Sequence, residues 1–193
     1  MSAPIPAGFD LANPEHFYAF CQASAPWRIE RNVKGEIVIK MPTGGESSNR
    51  NFELNLQLGI WVKQDGTGRG FDSSGGFDLP NGAMRSPDAA WVSKSRLDTL
   101  TAEQKKRFLP LAPDFVAELR SEPDSLTLLQ EKMEEYIACG VRLALLLDPT
   151  TRKAHLYRPS TEPQVLENPT AVDCSPELPG FILDTQPLFA NEL

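Results

Sequence analysis

Apolar residues recur in this chain at helical spacing in some segments and as short unbroken runs in others. The clearest unit lies in the third quarter. Leu126, Leu129, Met133 and Ile137 stand three or four residues apart, the spacing of one helix face. Gly140 follows, where a helix is commonly closed by a left-handed residue. Before this helix lies the short run DFVAEL, residues 114–119, and after it RLALLLDP, residues 142–149. The second run is continuously apolar, the pattern of a strand covered on both faces. Strand, helix and buried strand make a βαβ crossover, so the two strands should be parallel.

Further toward the N-terminus, Asn13 and Pro14 in NPEHFYAFCQAS read as the cap and first position of a helix. WRIERNVKGEIVIKM reads as two strands joined by a turn near Lys34-Gly35. A second helix follows the glycine pair at 44–45. Its Phe52, Leu56 and Ile60 lie four apart, as do Leu54, Leu58 and Val62, predicting a wide buried face. Glu46, Asn49, Arg50, Glu53 and Gln57 form its polar stripe, and Glu46 sits where the helix dipole favours a carboxylate. From 68 to 93 the texture changes to short strands broken by glycine, with a hairpin at Ser74-Gly75-Gly76 and a strand over 88–93. TAEQKKRFLPLA is a polar connection with at most a helical turn. A strand at KAHLYRP and an irregular proline-rich tail close the chain.

The expected class is α/β, a mixed sheet flanked by helices. With 193 residues and no repeat or low-complexity linker, one domain is the simplest division. It divides into a helix–hairpin extension (1–42), a core (43–159) and a tail (160–193). Cys21, Cys139 and Cys174 are scattered and odd in number, which fits a reducing compartment better than a disulfide framework. No apolar run approaches the ~20 residues of a membrane helix, and the N-terminus lacks a signal-peptide pattern. The expected location is the cytoplasm. A net charge of −7 argues against a general nucleic-acid binder while leaving a local basic groove open.

Two strands open on the same dipeptide, Pro87-Asp88 and Pro113-Asp114. Asp114 and Glu118 share a strand face but stand roughly 13 Å apart, too far to share one ion. Asp88 is the better partner. If its strand runs antiparallel to 114–119, the start of one abuts the end of the other, and Asp88 meets Glu118 at the sheet edge. That edge is the carboxyl end of the parallel strand, where sites of open α/β sheets lie. Lys132 is seven residues into the following helix, about 10 Å back down the sheet, so its side chain comes level with Glu118. Tyr136 lies one turn further on the same face, within hydrogen-bonding reach of Lys132 or a substrate.

PTGGE before a helix, then SPDAAWV, PDFVAELRS, LQEKMEEYIACGVRLALLLDP and a closing HLYRP together resemble the Uma-two family of bacterial restriction-endonuclease-like proteins, within the PD-(D/E)XK superfamily. The motifs occur in order over roughly residues 10–185. The resemblance implies a restriction-endonuclease-like core and a site of Glu46, Asp88, Glu118 and a helix-borne Lys132, with magnesium or manganese. Asp88 and Glu118 suit such a hard ion, with the Leu119 carbonyl as a third ligand. Glu46 would hold a metal-bound water or help bind a second ion. Arg120 occupies the place of the motif's lysine; a guanidinium stays protonated, so phosphate contact is its natural role.

Plain alternatives stand beside each assignment. An aspartate after proline is often a turn residue, Glu118 could be a buried ion-pair member, and Lys132 an exposed lysine paired with Glu131 or Glu135. Glu46 could be no more than a first-turn residue. Lys105-Lys106-Arg107 is either a solvated loop or a DNA contact. The resulting expectation is a metal-dependent endonuclease acting on DNA as a homodimer, since two sites related by symmetry cut two strands most simply. Its rivals are an inactive binding or assembly module of the same fold, and a metal-dependent hydrolase of another phosphoester.

Overall fold

A computed structural model describes residues 10–25 and 27–190. In chain order the elements are α1 (Pro14–Ala23), β1 (Arg28–Arg31), β2 (Ile37–Lys40), α2 (Gly45–Asp65), β3 (Gly68–Asp72), β4 (Phe77–Asp78), β5 (Met84–Arg85) and β6 (Ala89–Ser93). There follow α3 (Lys94–Leu97), β7 (Phe115–Leu119), α4 (Leu126–Ala138), β8 (Leu143–Asp148), β9 (Lys153–Tyr157), β10 (Gln164–Glu167), β11 (Ala171–Asp173), β12 (Ile182–Asp184) and α5 (Gln186–Phe189).

Six strands form the central sheet in the order β10-β9-β8-β7-β6-β3. β7 and β8 are parallel, Phe115 opposite Leu143 through Leu119 opposite Leu147, as the crossover requires. Every other pair in the sheet is antiparallel. Alternation along the strands sorts the core into two layers. Ala89, Trp91, Phe115, Ala117, Leu119, Leu143 and Leu145 pack with Leu54, Leu58 and Trp61 of α2. Ala90, Val92, Val116, Ala144 and Leu146 pack with Met133 and Tyr136 of α4. Each fully buried leucine contributes about 2 kcal/mol by leaving water, so the strand–helix–strand unit is well anchored.

A second, four-stranded sheet runs β2-β1-β5-β4. The N-terminal hairpin has the expected turn, with Arg28 opposite Lys40 and Arg31 opposite Ile37. Arg31 also pairs with Met84 of β5, so the hairpin is built into the fold. The Asn13 side chain caps α1 by accepting from Glu15 and His16 backbone N–H groups. No helix among the described residues is long and apolar enough to cross a membrane.

Three expectations fail. Phe52, Leu56 and Ile60 are exposed, whereas Leu54 and Leu58 are buried. Two residues rotate a helix by about 200°, so the two apolar rows lie on nearly opposite sides and one sheet covers only one. The 74–76 turn is not a hairpin: β3 pairs with β6 and β4 with β5, so the turn passes the chain between sheets. Gly76 is needed there, because a Cβ would stand 2.3 Å from the Phe108 ring. The described part of the tail, residues 160–190, is ordered structure. β10 extends the sheet, and Val172, Leu178, Phe181, Leu183, Leu188 and Phe189 complete the α2-side core. Its strands of three or four residues are too short to show a period.

Candidate active site

Ala89 pairs with Ala117 in the antiparallel β6–β7 ladder, which sets Asp88 beside Glu118 at the carboxyl end of β7. Their side chains share the α4 face, since Ala89 and Ala117 point to the other. Asp88 is fixed at both ends. Its Oδ2 accepts from the Leu119 N–H at 2.9 Å, and its carbonyl accepts from Asn55 Nδ2 of α2 at 3.0 Å. Among the described residues it makes no direct ion pair.

Lys132 reaches across from α4 to the strand end. Its Nζ lies 2.7 Å from Glu118 Oε1 and 3.2 Å from Glu30 Oε1. It is buried, not the exposed partner of Glu131 or Glu135 that a charged helix allows. Tyr136, one turn on, donates its hydroxyl to the same Glu118 Oε1 at 2.9 Å. Glu118 is therefore oriented by two groups from one helix face. Asp114 sits at the opposite end of β7, where its Oδ2 accepts from the Ser93 N–H at 2.8 Å. It also pairs with Arg96 at 3.3 Å, so it ties the start of β7 to the end of β6 and to α3 instead of shaping a local turn, and Asp114 has no part in this cluster.

Three further residues belong to the cluster, and none of them was assigned to the site from the sequence. Glu30 of β1 is 2% exposed; its Oε1 lies 3.0 Å from Lys40 Nζ and accepts from the Ser86 N–H at 3.1 Å. Its Oε2 lies 3.3 Å from Arg85. Lys40 of β2 donates to the Ser86 carbonyl at 2.9 Å and stands 3.8 Å from Glu118 Oε2. Arg85 continues to Glu135 at 2.6 Å. One signal existed: Glu30 and Lys40 are charged residues within strands that also carry apolar side chains. Their partners are up to 102 residues away, beyond any local pattern.

The electrostatics follow from crowding. Burial alone would raise the Glu30 carboxyl, but Lys132, Lys40 and Arg85 outweigh it and hold its pKa down at about 2. Burial opposes the charge on Lys40, yet Glu118, Glu30 and Asp88 together hold its pKa above the usual lysine range. Asp88 goes the other way. Burial and then the Glu118 charge push it up to about 6, against relief from Lys40, the Leu119 N–H and Lys132. The Tyr136 hydroxyl is raised well above its ordinary value by burial and by Glu118 and Glu30, so it serves as a donor.

Asp88 is thus a carboxylate whose charge its surroundings satisfy poorly, beside a second carboxylate in register. Two carboxylate groups with the Leu119 carbonyl at the same strand end form an all-oxygen set. That set suits magnesium or manganese, which keep several waters. Among the described residues no three His, Cys, Asp or Glu side chains converge as a fuller metal-binding group.

Two sequence candidates stand apart. Glu46 is exposed and pairs with Arg50 at 3.3 Å. It lies nine residues, about 13 Å along α2, from Asn55, the residue of that helix that touches Asp88. Arg120 bonds Asp148 Oδ2 at 2.8 Å and the Asp124 carbonyl at 3.2 Å, which ties the ends of β7 and β8 together. Lys106 and Arg107 are paired with Glu103 and Glu15.

A mixed sheet between helices, with acidic residues at its edge and a lysine delivered by the crossover helix, is a restriction-endonuclease-like α/β fold. The chain belongs to the Uma2 family, described as "Putative restriction endonuclease", which matches residues 14–186. A similar solved structure is the crystal structure of "a putative nuclease belonging to DUF820" from Anabaena variabilis. It is 22% identical with a TM-score of 0.71, over 83% of this chain and 89% of that one. No curated protein matches the chain.

Proposed function

We propose that this protein is a metal-dependent endonuclease that hydrolyses phosphodiester bonds in DNA, with Asp88, Glu118 and Lys132 at its centre. The observation that carries this reading is the contact of Lys132 Nζ with Glu118, itself in register with Asp88. A nuclease of this fold needs an acidic pair and a lysine at one sheet edge, and three separate elements converge there.

Asp88, Glu118 and the Leu119 carbonyl would hold a magnesium or manganese ion, which supplies water activation and neutralises charge on the scissile phosphate. The chain's own residues do the rest. Lys132 and Tyr136 hold Glu118 in one orientation, so the site is set before substrate arrives. The one remaining N–H of Lys132 would orient the attacking water or meet charge developing on the phosphate. Lys40 adds a second cation, and Glu30 anchors both ammonium groups. Glu46 has no part in this scheme, and Arg120 acts as a clip between strand ends.

One observation favours a second reading, a binding module with a structural charge cluster: Glu30 is fully paired within the protein. A single experiment separates the two. Supercoiled, linear and single-stranded DNA are incubated with the protein in magnesium, manganese or chelator, beside Lys132→Ala and Asp88→Asn. The endonuclease reading expects divalent-dependent cleavage that both changes abolish. Absence of cleavage together with absence of manganese binding by calorimetry supports the binding module. Metal binding without DNA cleavage, but with turnover of a small phosphodiester, points to a different substrate.

A further inference from the structure

Helix α2 is apolar on two sides. Leu54 and Leu58 pack on the sheet, while Phe52, Leu56 and Ile60 on the far side are 65%, 44% and 50% exposed. A surface helix normally carries polar residues there. Gly59 stands in the same outer stripe. A Cβ at Gly59 would meet nothing within 4 Å, so no contact among the described residues calls for a glycine. In mid-helix it costs roughly 1 kcal/mol relative to alanine. A residue without a side chain, set among exposed apolar ones, allows another helix to approach closely.

We infer that the outer face of α2 is a homodimer interface, on which α2 of a second copy packs antiparallel about a two-fold axis beside Leu56. Residues 52, 56 and 60 are centred on position 56, so Leu56 meets its own counterpart. Phe52 of each copy then falls over Ile60 of the other, and Gly59 one residue along leaves room beside the ring. Lys63, at the basic end of the stripe, falls opposite Asn49 of the other helix, within a side chain's reach of Glu53, while Glu46 is already paired with Arg50. The rim charges therefore attract. Positions 49–63 span about 21 Å of helix. The flank is extended by β12, held along α2 by hydrogen bonds between Gln57 and the Asp184 backbone, where Ile182 is 53% exposed. Such a contact buries on the order of 1,000 Å², the lower bound of a specific interface.

This inference does not depend on the endonuclease reading. Helix α2 covers the sheet face opposite α4, so the Asp88–Glu118 clusters of both copies stay clear of the axis. Dimerisation and cleavage can fail separately.

Sedimentation velocity over a hundredfold concentration range tests the interface. The unmodified chain is expected to be dimeric. Gly59→Gln should weaken the dimer at least tenfold while raising the melting temperature of the monomeric form, because its side chain enters open space in a single copy. Leu56→Lys should give a monomer with an unchanged circular dichroism spectrum. Leu56→Cys should cross-link to itself on mild oxidation, and the unmodified chain, with its native cysteines, should not. A chain monomeric at every concentration, a dimer indifferent to Gly59→Gln and Leu56→Lys, or failure of Leu56→Cys to cross-link would each overturn the interface.

Discussion

Lys132 Nζ lies 2.7 Å from Glu118 Oε1, although one residue is on α4 and the other on the strand before it. Both are buried, so neither charge has water as an alternative partner. Lys132→Ala should therefore do two things at once. It should lower DNA cleavage at least a hundredfold, and it should cost about 3 kcal/mol of stability by removing the nearer of the two cations beside Glu118, leaving the Tyr136 hydroxyl and the more distant Lys40. Denaturant melts and plasmid nicking at a temperature where the variant stays folded separate the effects. Full cleavage by folded Lys132→Ala would remove the lysine from the mechanism.

Glu30 makes the fold sensitive to acid. Its carboxyl is held at about 2 in the folded protein against 4.5 as its ordinary value. The folded state thus favours the ionised form. That stability is fully present above pH 4.5 and is lost as the pH falls toward 2. In Glu30→Gln, Lys40 and Lys132 lose one of their two shared counter-ions and Arg85 loses a partner, so the variant should be several kcal/mol less stable at neutral pH. It should also show a shallower loss of stability between those two pH values. Urea melts across the range measure both, and parallel curves for the two proteins would contradict the assignment.

Asp88 has the opposite balance. Its pKa of about 6 means that ionising it costs folded-state energy as pH rises from its ordinary 3.8 through 6. Without divalent ions, Asp88→Asn should be more stable than the parent above pH 7 by about 1–3 kcal/mol. Added manganese should raise the melting temperature of the parent and leave the variant unchanged. An equal rise in both would place the ion elsewhere.

Arg120 separates structure from chemistry. Its guanidinium bonds Asp148, which is fully buried and also accepts from Thr151. Arg120→Ala should cost about 3 kcal/mol, as removal of one partner of a buried charge does, with cleavage per folded molecule nearly unchanged. Glu46→Ala should alter neither stability beyond ~0.5 kcal/mol nor metal binding. A hundredfold loss of cleavage in either, without unfolding, would restore its candidacy.

How much of this was legible in advance depended on range. Strand β7, helix α4 and strand β8 were readable because their apolar spacing is local and long enough to carry a period. The meeting of Asp88 with Glu118 followed once antiparallel neighbours were assumed, since register then dictates which ends touch. Lys132 was placed by helix rise alone. Glu30, Lys40 and Arg85 were not legible, because a charge on a short strand carries no record of which charge lies opposite. Only the docking of the second sheet against the first decides that. The tail was misread for a related reason: its short strands are stabilised by the core they cover, not by their own pattern.

By itself, then, the sequence determined the crossover unit, the acidic pair and the helix that brings the lysine, all through contacts governed by rise, twist and ladder register. Tertiary structure decided how poorly the charge of Asp88 is compensated, which basic groups neutralise Glu30 and Glu118, and which of the two apolar faces of α2 is buried. Those outcomes depend on burial and on pairwise distances between remote segments, and neither quantity exists until the sheets and helices are packed.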